Sequence, residues 1–111
     1  MTNYTPDNWV VIKIRPDNSE PFYKILGGWS GGGYLDGDSW RMNSGITRVD
    51  DADDHLFFYG SSGSVYQVNK KSYGLRMNLA GVWASMETQF GDKVELVPED
   101  TDWLNLQWSN N

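Results

Sequence analysis

The chain has 111 residues, with six Trp, six Tyr and four Phe, no Cys and a net charge of −6. That length suits one domain, residues 1–111, and the aromatic content supports a core without disulfide or metal, because each buried ring removes roughly 150–250 Å² from water. Lack of Cys excludes disulfides, thiolate catalysis and zinc–thiolate sites, and the acidic balance argues against duplex nucleic acid as a partner, which requires a basic face.

The opening MTNYTPDNW has no basic stretch before an apolar run, so no signal peptide is read there. No apolar run reaches the roughly 20 residues that span a bilayer, so no membrane partner is expected. Residues 8–14, NWVVIKI, are rich in β-branched side chains and predict a strand with Val10, Ile12 and Ile14 on one face. The turn RPDNSEP follows, and residues 22–26, FYKIL, predict a second, antiparallel strand. Residues 27–39 hold six glycines in GGWSGGGYLDGDS, a density at which no regular element is expected. Residues 39–49 predict a third strand, or two short ones broken at Ser44-Gly45.

The run DDADD, residues 50–54, predicts a solvated turn. HLFFY (55–59) and SVYQV (64–68) predict a hairpin joined by GSSG (60–63). Leu79, Val82, Trp83, Met86 and Phe90 recur at helical spacing, with Asn78 or an earlier start near Ser72 opening the helix and Gly91 closing it. KVELV (93–97) predicts a last strand. The tail TDWLNLQW carries two Trp and two Leu and is expected to pack on the core or on another subunit. These elements predict an α+β fold: a twisted antiparallel sheet of five or six strands with one α-helix packed across it.

Catalytic chemistry finds little support. The single His, His55, opens an apolar strand and has neither a Cys nor a second His to join it. No G-x-S-x-G elbow is present, and the glycine-rich segment lacks the G-K-[ST] ending of a phosphate loop. Asp36-Gly-Asp38-Ser begins like a calcium loop but has no Glu at the twelfth position. The protein is therefore read as a non-enzyme, without catalytic residue, metal or cofactor.

Residues 27–45 are the candidate binding segment. Glycines allow close backbone approach, and Trp29, Tyr34 and Trp40 offer aromatic faces. Ser30, Arg41, Asn43 and Ser44 supply hydrogen-bonding groups, with Arg41 able to grip phosphate or carboxylate as a fork. Lys70, Lys71 and Arg76 form a second basic cluster that could meet Arg41 and Arg48 across the fold. Lys70 and Arg76 join the candidate site on that basis. In the plainer alternative, Trp40, Met42 and Ile46 alternate into the core and the glycines only shape a hairpin.

The stretch GGYLDGDSWRMNSGI, followed by YGSSGSVYQVNKKSYGLRMN, resembles small accessory proteins of tailed bacteriophages, a group without a settled catalytic activity. The resemblance rests on a W-[RK]-x-[NS]-SG-[IV] pattern, matched by Trp40, Arg41, Asn43, Ser44, Gly45 and Ile46, and on a G-S-x-Y hairpin, matched by Gly63, Ser64 and Tyr66. It implies a viral protein acting in the cytoplasm of an infected bacterium. The first function expected is a homo-oligomer that binds a nucleotide-like small molecule and sequesters a host immune signal. The alternative is an inhibitor that binds a host defence or regulatory protein, anchored by Trp29, Tyr34 or the Trp103–Trp108 tail. An acidic DNA mimic and a minor virion component are further alternatives.

Overall fold

The segment NWVVI has five consecutive residues buried in the fold, which a strand can achieve only if both of its faces are covered. The computed structural model describes residues 3–29, 39–75, 78–106 and 108. Its strands are β1 (Asn3–Tyr4), β2 (Asn8–Ile14), β3 (Phe22–Trp29), β4 (Ser39–Met42), β5 (Ile46–Ala52), β6 (His55–Gly60), β7 (Val65–Asn69) and β8 (Val94–Leu96), with one α-helix, α1 (Asn78–Phe90). Strands β4-β3-β2-β8 form one four-stranded sheet, the inner sheet, and β1-β7-β6-β5 form a second, the outer sheet.

This corrects the expected single sheet of five or six strands: the described residues hold eight strands in two sheets of four, with one helix. Nor is the pairing wholly antiparallel, because β1 runs parallel to β7. The alternation of Val10, Ile12 and Ile14 identifies one face of β2 but says nothing of the other. Trp9 and Val11 point the opposite way and pack with Ile25 against Ile46, Phe58, Tyr66 and Val68 of the outer sheet. Val10, Ile12 and Leu26 pack under Leu79 and Trp83 of α1. The inner sheet is thus the middle of three layers.

Three local expectations also change. Strand β3 continues through Gly27 and Gly28 to Trp29, although this stretch was expected to be irregular. A Cβ at Gly27 would come within 2.9 Å of the Pro6 ring, and one at Gly28 within 2.8 Å of Leu79 Cγ. These two glycines therefore serve close packing on each face of the strand. The acidic run is not all turn, since β5 extends to Ala52 and the reversal is made at Asp53, φ 57°, and Asp54. Residues 39–49 are two strands, and they belong to different sheets. Asn43, Ser44 and Gly45 carry the chain between layers.

The described helix covers Asn78–Phe90 and gives way at Gly91, whose φ of 60° suits glycine. The tail packs on its own core. Trp103 and Trp108 are buried between the sheets, stacked 6.3 Å apart, and Trp103 meets Trp9 at 5.6 Å. The Trp9 indole donates to Asn69 O at 2.8 Å, so this large core ring leaves no polar atom unsatisfied. Among the described residues, no helix is long and apolar enough to cross a membrane.

Candidate functional site

The chain crosses from inner to outer sheet at Asn43, and the crossing is held by side chains. Asn43 N donates to Ile25 O at 3.1 Å, and Asn43 Oδ1 accepts from Ile25 N at 3.0 Å. A side-chain amide therefore closes the last rung of the β3–β4 ladder. On the far side, Ser44 Oγ accepts from Ser62 N at 2.9 Å and from Ser61 Oγ at 2.9 Å, while Ser61 N donates to Gly45 O at 2.9 Å. Gly45 has φ 145°, which favours glycine at this bend. The crossover is thereby fastened to the β6–β7 turn.

Asn43 is only 5% exposed, and its Nδ2 has no hydrogen-bond partner among the described residues. The amide cannot be reversed to cure this, because Oδ1 is required by Ile25 N–H. A buried donor left unmade costs about 1–3 kcal/mol. Next to it lies the bare backbone of Gly60. A Cβ there would stand 2.8 Å from Ser64 Oγ, 3.2 Å from Asn43 Nδ2 and 3.4 Å from Ser44 Oγ. Three polar groups thus converge on a space kept free by a glycine.

Outside this point opens a cleft of about 380 Å³, lined by Tyr4, Lys24, Arg41, Met42, Asn43, Ser44, Ser62, Ser64 and Tyr66. Its described lining includes the Arg41 guanidinium and no carboxylate, in a chain with fifteen Asp and Glu. Arg41 lays its guanidinium 4.8 Å over the Tyr4 ring, and Tyr4 rests against Tyr66 at 4.9 Å. A guanidinium seated on an aromatic face keeps its N–H edge free to meet an anion. The Tyr66 hydroxyl is pushed up to about 12, first by burial and then by Tyr4, with Arg41 opposing the shift. It stays protonated at neutral pH and remains a donor.

The structure brings Arg41, Asn43 and Ser44 together and separates the other candidates. Trp29 stands behind the cleft rather than in it. It is half-buried, meets Tyr4 edge-on at 6.2 Å and donates its indole N–H to Thr5 O at 3.1 Å. Trp40 precedes Arg41 in β4, and neighbours in a strand point to opposite faces. It is 49% exposed and does not line the cleft, so it is neither core nor part of the Arg41 site. Lys70 pairs with Asp51 at 2.9 Å and lines a different hollow, beside Glu99, Asp100 and Asp102. It does not join Arg41. Arg48 is taken by Asp50 at 3.1 Å and by the Tyr59 ring. Ser30, Tyr34 and Arg76 lie outside the described residues.

Lys24, Tyr4, Ser62, Ser64 and Tyr66 line the cleft but were not among the expected binding residues. The G-S-x-Y pattern at Gly63, Ser64 and Tyr66 was the available signal for two of them. Lys24 sits inside FYKIL and reads as part of an ordinary strand. Comparison of the chain with protein-family models, with curated proteins and with solved structures finds no match.

Proposed function

We propose that the protein is a non-enzymatic binder of a small phosphate-bearing, nucleotide-like ligand, held at the crossover cleft. The supporting observation is the pairing of Arg41, seated on Tyr4, with serine hydroxyls in a cleft that has no carboxylate among its described lining residues, within a strongly acidic chain. Phosphate oxygens suit this set: Arg41 offers a planar fork, and Ser62 and Ser64 short donors. The outer face of the Arg41 guanidinium is a surface on which a planar ring can stack. The biological setting, sequestration of a host immune signal by a homo-oligomer in the cytoplasm of an infected bacterium, rests on the phage-protein resemblance alone.

The test is a thermal-shift and calorimetric titration with ADP-ribose, cyclic di-AMP and inorganic phosphate. A ligand present at one hundred times its Kd stabilises by about 2.7 kcal/mol, which moves the Tm of a domain this size by roughly 10 °C. A flat response to all three sinks the proposal.

One observation favours a second reading, an inhibitor that binds a host protein. Trp40 is half exposed on β4, an edge strand of the inner sheet. Exposed Trp is the residue type that most often anchors interfaces. Trp103 and Trp108 cannot serve as that anchor, because both are buried in the core. Capture of a specific protein that is lost in Trp40→Ala and kept in Arg41→Ala supports this reading over the first.

A further inference from the structure

The stripe on α1 runs further than the sheet beneath it. Leu79 and Trp83 are buried against Val10, Ile12 and Leu26. One turn on, Met86 is half-buried, and Phe90 is 44% exposed. Below them Ile14 ends β2, Met42 ends β4 and Val94 opens β8, leaving a hollow of about 440 Å³. This lies within the size range of small-molecule sites, roughly 300–1,000 Å³.

The rim of the hollow is charged. Arg15 is paired with Glu95, and Lys93 Nζ lies 2.9 Å from Asp17. Lys24 also lines it and has no carboxylate partner among the described residues, its ammonium lying 5.9 Å from the Phe22 ring.

We propose that this hollow is a second ligand site, one that takes a small amphipathic anion. The apolar body lies along Met86, Phe90 and Ile14, and the acidic head meets Lys24. Charge complementarity at the rim selects this occupant over an uncharged one. The exposed apolar area selects it over a second copy of the chain. Of the three large exposed hydrophobic residues described, only Phe90 lines the hollow, while Trp40 and Leu104 do not. A stable dimer needs roughly 1,200–2,000 Å² of buried surface. The site does not depend on the nucleotide reading, although Lys24 and Met42 line both cavities.

The experiment follows the methionine methyl signals of the full chain by NMR as decanoate, then 1-decanol, is added below the micelle threshold. Saturable shifts of the Met42 and Met86 methyls are expected with decanoate. Phe90→Asp alters an exposed residue, so it should leave the fold intact by circular dichroism and weaken decanoate by roughly tenfold or more. Lys24→Gln should weaken decanoate several-fold and leave decanol unchanged. Arg41→Ala, which removes the crossover cation, should leave decanoate binding intact. Absence of Met86 shifts, or equal affinity in Phe90→Asp, overturns the site. Equal losses for decanoate and decanol in Lys24→Gln overturn the placement of the head. A dimer seen by light scattering and abolished by Phe90→Asp assigns the hollow to a second copy and also overturns the proposal.

Discussion

The two faces of the inner sheet end in different ways. Toward the outer sheet, Trp9, Phe58, Trp103 and Trp108 fill the space with touching rings, and the face ends at the crossover in a polar cleft with the Arg41 guanidinium and hydroxyls. Toward the helix, Val10, Ile12, Leu26, Leu79 and Trp83 make a smaller core, and the face ends in an apolar hollow under Phe90. Lys24 and Met42 stand between the two openings. The difference shows how one edge of a sheet offers two chemistries. Alternation along β4 sends Arg41 and Asn43 to one side and Trp40 and Met42 to the other.

The largest effect that separates the openings is expected at Arg41. Arg41→Ala should weaken a phosphate-bearing ligand by 10- to 100-fold, about 1.4–2.8 kcal/mol, while leaving decanoate binding unchanged, as read by calorimetry. Equal losses for both ligands would merge the two openings into one site.

Next comes the crossover itself. Asn43→Ala removes the acceptor for the buried Ile25 N–H and should destabilise the fold by about 1–3 kcal/mol in denaturant titration. Gly60→Ala places a methyl 2.8 Å from Ser64 Oγ, next to Asn43 Nδ2. It should cost about 1–3 kcal/mol by overpacking, and it should reduce phosphate-ligand affinity more than decanoate affinity. If Gly60→Ala binds phosphate ligands as well as the parent does, the converging groups at Gly60 are structural only.

A smaller effect is expected from alkali. The Tyr66 and Tyr73 hydroxyls are held near 12 in the fold, chiefly by burial, against an ordinary value of 10.0. The unfolded chain therefore loses these protons first, and the contribution of these two hydroxyls to stability should be level below pH 10 and fall between about pH 10 and 12. Tyr66→Phe should flatten part of that decline in denaturant midpoints measured across the range. A decline of the same size in Tyr66→Phe would place the burial elsewhere.

Much of the fold was legible along the chain because it is local. The β-branched run of β2, the helical spacing from Leu79 to Phe90 and the apolar tail each carry their own signal. The second sheet was not legible, because burial of both faces of β2 depends on partners far away in sequence. The break at Ser44-Gly45 was visible, but that it exchanges one sheet for another is a fact of pairing. The candidate site divides in the same way. Arg41, Asn43 and Ser44 are adjacent and could be read together. Lys24, Tyr4, Ser62 and Ser64 reach the cleft only through the β3–β4 register, the β1–β7 pairing and the β6–β7 turn. Trp40 was grouped with Arg41 by composition, although strand alternation sets the two apart.

The central claim is that the crossover cleft takes a phosphate-bearing ligand through Arg41. Calorimetric titration of ADP-ribose and cyclic di-AMP into the parent chain and into Arg41→Ala at low ionic strength tests it most directly. Saturable binding of at least one of them, weakened tenfold or more in Arg41→Ala and weakened again by added salt, is the predicted result. No heat from either ligand, or equal binding by both chains, would contradict it.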